Sequence, residues 1–237
     1  MTLVERLREV RARIDRAARA AGREPASVKL VAVSKTHGAD AVREAYTAGQ
    51  RAFGESYAQE LAAKAEALAD LTAIEWHFIG HLQTNKARLV ARWAHVVHTV
   101  DSTVLARELG KRAARPDRRP AGGRGSALPV LVEVNVGGEA QKAGASPGDL
   151  EEVLQAVVSQ ASLELRGLMT LPPAGDLASA RRVFETLVSL RNLHGGPARL
   201  PELSIGMSDD LDIAIACGAT IVRVGTAIFG PRAQTSK

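Results

Sequence analysis

Short apolar runs alternate with longer stretches of helical periodicity along the chain. The β-like runs fall at 28–34, 51–53, 75–79, 95–100, 128–136, 163–170, 202–205 and 220–224. Most lead into an amphipathic stretch, at 40–49, 55–71, 84–92, 102–115, 147–160, 176–193 and 208–217. A further helix is predicted over 1–22, with Leu3, Val4, Leu7, Val10 and Ile14 on one face. Runs such as VKLVAVS and LPVLVEVNV are almost continuously apolar, as expected of strands covered on both faces in a parallel sheet. Eight βα units in 237 residues predict an α/β protein: a single (β/α)8 TIM-type barrel spanning 1–237. A strand or two fewer would leave an open sheet with the same alternation. The absence of a G-x-G-x-x-G after the first strand argues against a dinucleotide fold.

Composition narrows the picture. The chain is 46% hydrophobic and 24% charged, ordinary for a globular protein. Its one cysteine, Cys217, allows no internal disulfide and is consistent with a reducing cytoplasm. No apolar run reaches the ~20 residues of a membrane-spanning helix. The Arg-rich N-terminus carries Glu5, Glu9 and Asp15, unlike a transit peptide. A net charge of +5 invites a nucleic-acid reading. However, the basic residues are mostly interleaved with acids, and aromatics are only 3% of the chain, too few for base stacking. The one basic, acid-poor run, Arg112 to Arg124, falls largely within the Pro/Gly-rich segment 115–127, expected to be a solvated loop on the N-terminal face. Residues 231–237 are expected to form a disordered tail. No His, Cys, Asp and Glu spacing suggests a metal site.

In a barrel of this kind chemistry gathers at the C-terminal ends of the strands. Lys35 ends the run VKLVAVSK there. A lysine buried at the mouth loses hydration and can attack a carbonyl as the neutral amine; the alternative is a side chain that snorkels to water. In VRVGTAIFG a strand ends at Val224, and Gly225 and Thr226 open a helical turn suited to a phosphate; helix capping by Thr226 explains the same residues. Ser208, with Asp209 and Asp210, reads equally well as an N-cap or as a ligand to that phosphate. Arg223 shares a strand face with Gly225 and needs an acceptor, either the ring nitrogen of a phosphate-bearing cofactor or an ion pair with Glu133. His77 reads as a hydrogen-bonded core histidine rather than a catalyst. Glu133 and Asn135 suggest a polar layer in the lumen, and Met169 reads as core filling.

Five stretches together resemble the pyridoxal phosphate homeostasis protein family, relatives of the alanine racemase N-terminal barrel. They are VAVSKTH (31–37), FGESYAQE (53–60), WHFIGHLQTNK (76–86), LRGLMTLP (165–172) and GMSDDLDIAIACGATIVRVGTAIFG (206–230). The resemblance implies the alanine-racemase-like type III fold of pyridoxal 5′-phosphate (PLP) proteins. It implies an internal aldimine on Lys35, Arg223 facing the pyridine nitrogen, and Ser208, Gly225 and Thr226 at the phosphate. It further implies a cytoplasmic, monomeric PLP carrier without established turnover, with PLP-dependent apo-enzymes as partners. Where the family usually reads FGEN and GPLQ, this chain has Ser56 and His81.

The alternative is a weak amino-acid racemase or another PLP-dependent enzyme. A permanently charged arginine disfavours protonation of the ring nitrogen, which makes the ring a poorer electron sink. The racemase relatives add a tyrosine base from a second domain on a partner subunit. The only tyrosines here are Tyr46 and Tyr57, and both are expected to be helical and away from the mouth.

Overall fold

A computed structural model describes residues 1–115, 127–139, 142–173 and 175–231. Eight parallel strands close into a barrel in the order β1 to β8: Lys29–Val33, Ala52–Glu55, Glu75–Phe78, Val96–Val100, Leu128–Glu133, Leu163–Met169, Glu202–Ser204 and Ile221–Val224. Each predicted run overlaps one of them, with β2 running two residues past its predicted end, so the open-sheet alternative falls away. The expected loop at 115–127 and tail at 231–237 lie almost wholly outside the described residues.

The helices are α1 (Leu3–Ala20), α2 (Ala39–Thr47), α3 (Ala58–Ala67), α4 (Ala87–Trp93), α5 (Thr103–Ala113), α6 (Leu150–Val158), α7 (Leu177–Leu193), α8 (Gly196–Arg199), α9 (Leu211–Ala216) and α10 (Thr226–Phe229). The start of α1 is set by a capping box, in which Thr2 and Glu5 each accept the other's backbone N–H. Its buried stripe of Leu3, Leu7, Val10, Ile14 and Ala18 packs over α9 and α10. Arg6 Nε donates to the Ile228 carbonyl at 2.7 Å, and Arg13 pairs with Asp212 and donates to the Ser208 carbonyl at 2.6 Å. The first helix therefore clamps the loops that follow β7 and β8.

Alternation along each strand sorts side chains between the outer core and the lumen. The large apolar core lies between sheet and helices, while two small clusters, Val31–Ala52–Ile221 and Val96–Leu131–Met169, stand apart from it. These fill the lumen, and Met169 is the core filler expected of it. The polar lumen positions include Glu75, His77, His98, Glu133, Ser204 and Arg223.

Four readings are corrected. The helix expected from Glu55 begins at Ala58, because Glu55 stays in the sheet: it pairs with Phe78 and its carbonyl accepts from Ile79. Tyr57 is consequently the extended residue before α3, exposed at the C-terminal end of β2 and thus on the mouth side. Ser208 does not cap α9; Asp210 holds that position, and its side chain accepts the Met207 N–H at 2.6 Å. Asn135 lies beyond the end of β5, where its amide donates to the Glu139 and Lys142 carbonyls and shapes its own loop instead of lining the lumen.

Candidate functional site

The predicted residues converge on one sector. Lys35 follows β1, Ser208 follows β7, Arg223 lies in β8, and Gly225 and Thr226 follow β8; the closed sheet makes β7, β8 and β1 neighbours. Val31 pairs with Arg223 and Ala32 with Val224, so Lys35 and Gly225–Thr226 leave adjacent strands at the same end. A Cβ on Gly225 would lie 3.2 Å from the Val33 carbonyl oxygen and 3.3 Å from Val33 Cβ. Glycine lets this turn close against the strand bearing Lys35. Thr226 starts α10 and makes no side-chain cap. Ser208 is the one predicted residue that lines a cleft of about 450 Å³, shared with Arg13, Pro173, Leu177, Met207 and Asp210.

The half-buried Lys35 sits on a braced turn. Ser34 Oγ donates to Glu55 Oε1 at 2.6 Å, and Lys64 Nζ donates to the Ser34 carbonyl and to Glu55 Oε1, both at 2.7 Å. Beyond Lys35, the Thr36 N–H donates to Glu60 Oε2 at 2.9 Å, and Glu60 also bonds Lys64. Thr36 has φ +68°, unusual for a β-branched residue. The Glu55–Lys64–Glu60 cluster thus grips the backbone on both sides of Lys35 and holds that strained turn. Burial raises the Glu55 carboxyl to about 6, against the pull of Lys64 and Ser34. Sequence reasoning missed this cluster, because Glu60 and Lys64 at i, i+4 look like a solvated helix pair.

Arg223 is buried. Its NH1 donates to the Ser204 carbonyl and to Ser204 Oγ, both at 2.6 Å, and its NH2 donates to the Thr170 carbonyl at 3.1 Å. Three of its five N–H donors are thereby committed, and the alternative of a direct ion pair with Glu133 gives way to these neutral oxygens. Glu133 acts through its field: burial lowers the guanidinium to about 10, while Glu133 and Asp210 oppose the shift. Burial, reinforced by Asp101, raises Glu133 to about 7. One of its carboxylate oxygens, Oε2, has no hydrogen-bond partner among the described residues.

Behind Arg223 the polar contacts continue across the lumen. Ser204 Oγ lies 2.8 Å from His98 Nδ1, and His98 Nε2 lies 2.8 Å from His77 Nδ1. His77 is therefore a hydrogen-bonded core histidine, as expected. His77 Nε2 lies 3.3 Å from Glu75 Oε1, an oblique contact, and Glu75 bonds Lys29 at 2.9 and 3.1 Å.

The family described as alanine racemase, N-terminal domain, matches residues 6–233. The pyridoxal phosphate homeostasis protein of Pseudomonas aeruginosa is 48% identical over 236 residues, covering 98% of this chain and 96% of that protein. PipY of Synechococcus elongatus, solved with PLP bound, shares 38% identity with a TM-score of 0.79, over 97% of this chain and all of that one. Alanine racemase from Corynebacterium glutamicum shares the fold at 18% identity, with a TM-score of 0.64 over 96% of this chain and 63% of that one.

Proposed function

The chain belongs to the pyridoxal phosphate homeostasis proteins, built on the alanine racemase N-terminal domain, and from that premise we propose that it binds PLP as a Schiff base on Lys35 and takes part in keeping and delivering that cofactor. The observation that carries the reading is the convergence of an amine, a glycine-lined turn and a buried guanidinium on two adjacent strands, β1 and β8. These groups fit PLP. Gly225 leaves no Cβ between the turn and its surroundings, the amides opening α10 and the hydroxyls of Thr226 and Ser208 suit a phosphate, and Arg223 keeps two N–H donors for a ring nitrogen. When bound, PLP supplies an aldehyde that condenses with an amine and a ring that can accept electrons.

The chain's own residues then divide the work. The Glu55–Lys64–Glu60 cluster aims Lys35. Arg223 presents positive charge to the ring nitrogen and disfavours its protonation, which favours holding the cofactor over turning it over. The reading includes PLP-dependent apo-enzymes as recipients, a monomeric state and a cytoplasmic location. No helix among the described residues is long and apolar enough to cross a membrane.

Borohydride reduction of the PLP-treated protein, followed by peptide mapping, tests the reading. A pyridoxyl label on Lys35, lost in Lys35→Ala, is expected; a label on another lysine, or none, overturns it. Tyr57 at the mouth side favours a second reading, weak amino-acid racemisation. Release of D-alanine from L-alanine, above a Lys35→Ala control and lost in Tyr57→Phe, would establish it.

A further inference from the structure

The lumen contacts from Arg223 to Glu75 form one continuous line across the barrel, from β8 through β7 and β4 to β3. Its two ends fix its direction. Arginine can only donate, and a carboxylate can only accept. Arg223 NH1 donates to Ser204 Oγ, so the Ser204 hydrogen is directed to His98 Nδ1 at 2.8 Å. His98 must then carry its proton on Nε2 and donate to His77 Nδ1 at 2.8 Å. His77 in turn carries its proton on Nε2, facing Glu75 Oε1 at 3.3 Å. The opposite polarity would leave the buried Ser204 hydroxyl hydrogen without an acceptor among the described residues and set a bare imidazole lone pair against the Glu75 carboxylate. Both faults are costly in a buried site.

The electrostatics agree. Burial holds His98 well below its ordinary value, and the charge of Arg223 acts in the same direction. Burial works against the charge of Glu75, but the facing His77 ring and the hydrogen bonds from Lys29 outweigh it and hold the carboxyl at about 2. Glu75 also borders a cleft of about 310 Å³ with Arg11, Lys29 and Arg51, so this terminal charge is partly hydrated. It lies at the opposite end of the barrel from Lys35.

We infer that Ser204, His98 and His77 form a one-way hydrogen-bond chain that ends facing the Glu75 carboxylate, with both imidazoles neutral and protonated on Nε2, and that it positions Arg223 for the ring nitrogen of the cofactor. Glu75 is thereby a positioning residue for a site it does not touch. The direction of the chain stands on the protein alone; its role at the cofactor rests on the proposed placement of Arg223.

Two measurements test this. Nitrogen-15 NMR of the cofactor-free protein at neutral pH should show His77 and His98 as neutral Nε2–H tautomers. An Nδ1–H tautomer or a doubly protonated ring at either position overturns the inference. Binding is then compared for PLP and for its analogue with C–H in place of the ring nitrogen. Glu75→Ala should weaken PLP about tenfold, the scale of one charge-assisted hydrogen bond, and leave the analogue within about twofold, while Glu75→Gln, which keeps an acceptor oxygen, should restore PLP binding. Equal weakening of both ligands, or of neither, overturns the inference. If the wild-type protein does not prefer PLP over the analogue, the placement of Arg223 at the ring nitrogen is what fails.

Discussion

Glu133→Gln should raise stability in alkaline solution and change it much less in acid. The wild-type carboxyl is buried among lumen residues, has one oxygen without a partner among the described residues, and is raised to about 7 from an ordinary value of 4.5 by burial and by Asp101. Between those values the folded protein holds a proton that the unfolded chain has released. Its contribution is therefore complete below about pH 4.5 and is lost as pH rises through about 7. The full span is about 3.4 kcal/mol, at about 1.36 kcal/mol per unit. Integrated between pH 5 and pH 8, the loss is about 2.5 kcal/mol. Glutamine has no such titration, and any strain from its amide applies equally at both pH values. Urea unfolding of both proteins at pH 5 and pH 8 measures the difference. Glu55 titrates in both proteins and cancels. The variant should gain about 2.5 kcal/mol on the wild type between the two conditions; a stability difference that does not move with pH refutes the reasoning.

Lys64→Met strips Glu55 and Glu60 of their shared cation and should cost about 3 kcal/mol in thermal unfolding, since an unpaired buried charge remains; adding Glu55→Gln should recover much of it. Gly206→Ala combines φ +93° with a Cβ placed 2.5 Å from Ala214 Cβ and should cost about 3 kcal/mol in chemical unfolding. Gly22→Ala, at φ +68° in open space, should cost only about 1 kcal/mol. Ser208→Ala and Thr226→Val should each weaken PLP retention by about 0.5–3 kcal/mol, measured by equilibrium dialysis, with Lys35 still available for labelling.

All eight strands were legible because parallel strands buried on both faces leave near-continuous apolar runs, of which VKLVAVS is the plainest. The corner near β1, β7 and β8 was legible because Lys35, Gly225 and Arg223 sit at strand ends whose neighbours follow from closure. The misreadings have local causes. Ser208, Asp209 and Asp210 are all good caps by residue type, but the helical hydrogen bonding begins with the Ala214 N–H donating to the Asp210 carbonyl, while the Asp210 side chain turns back to Met207. Glu55 looks helical by propensity, but sheet pairing with Phe78 keeps it extended, and this places Tyr57 at the mouth side. The link between His98 and Ser204 spans 106 residues of sequence and crosses the lumen, so no periodicity signals it. Lys64 is buried on a helix where an i, i+4 partner suggests solvent.

The clamp between α1 and the last βα unit has a consequence for biosynthesis. Arg6 reaches the carbonyl of Ile228 across 222 residues, and β1 stays without one neighbour until β8 pairs with it. While the polypeptide is still emerging from the ribosome, the turn proposed to hold the phosphate has not formed and Lys35, just after β1, faces an open seam. Such distant pairing is slow and comes late. Ligand capture should therefore appear only after ring closure, making cofactor retention a direct report that a newly made molecule has finished folding.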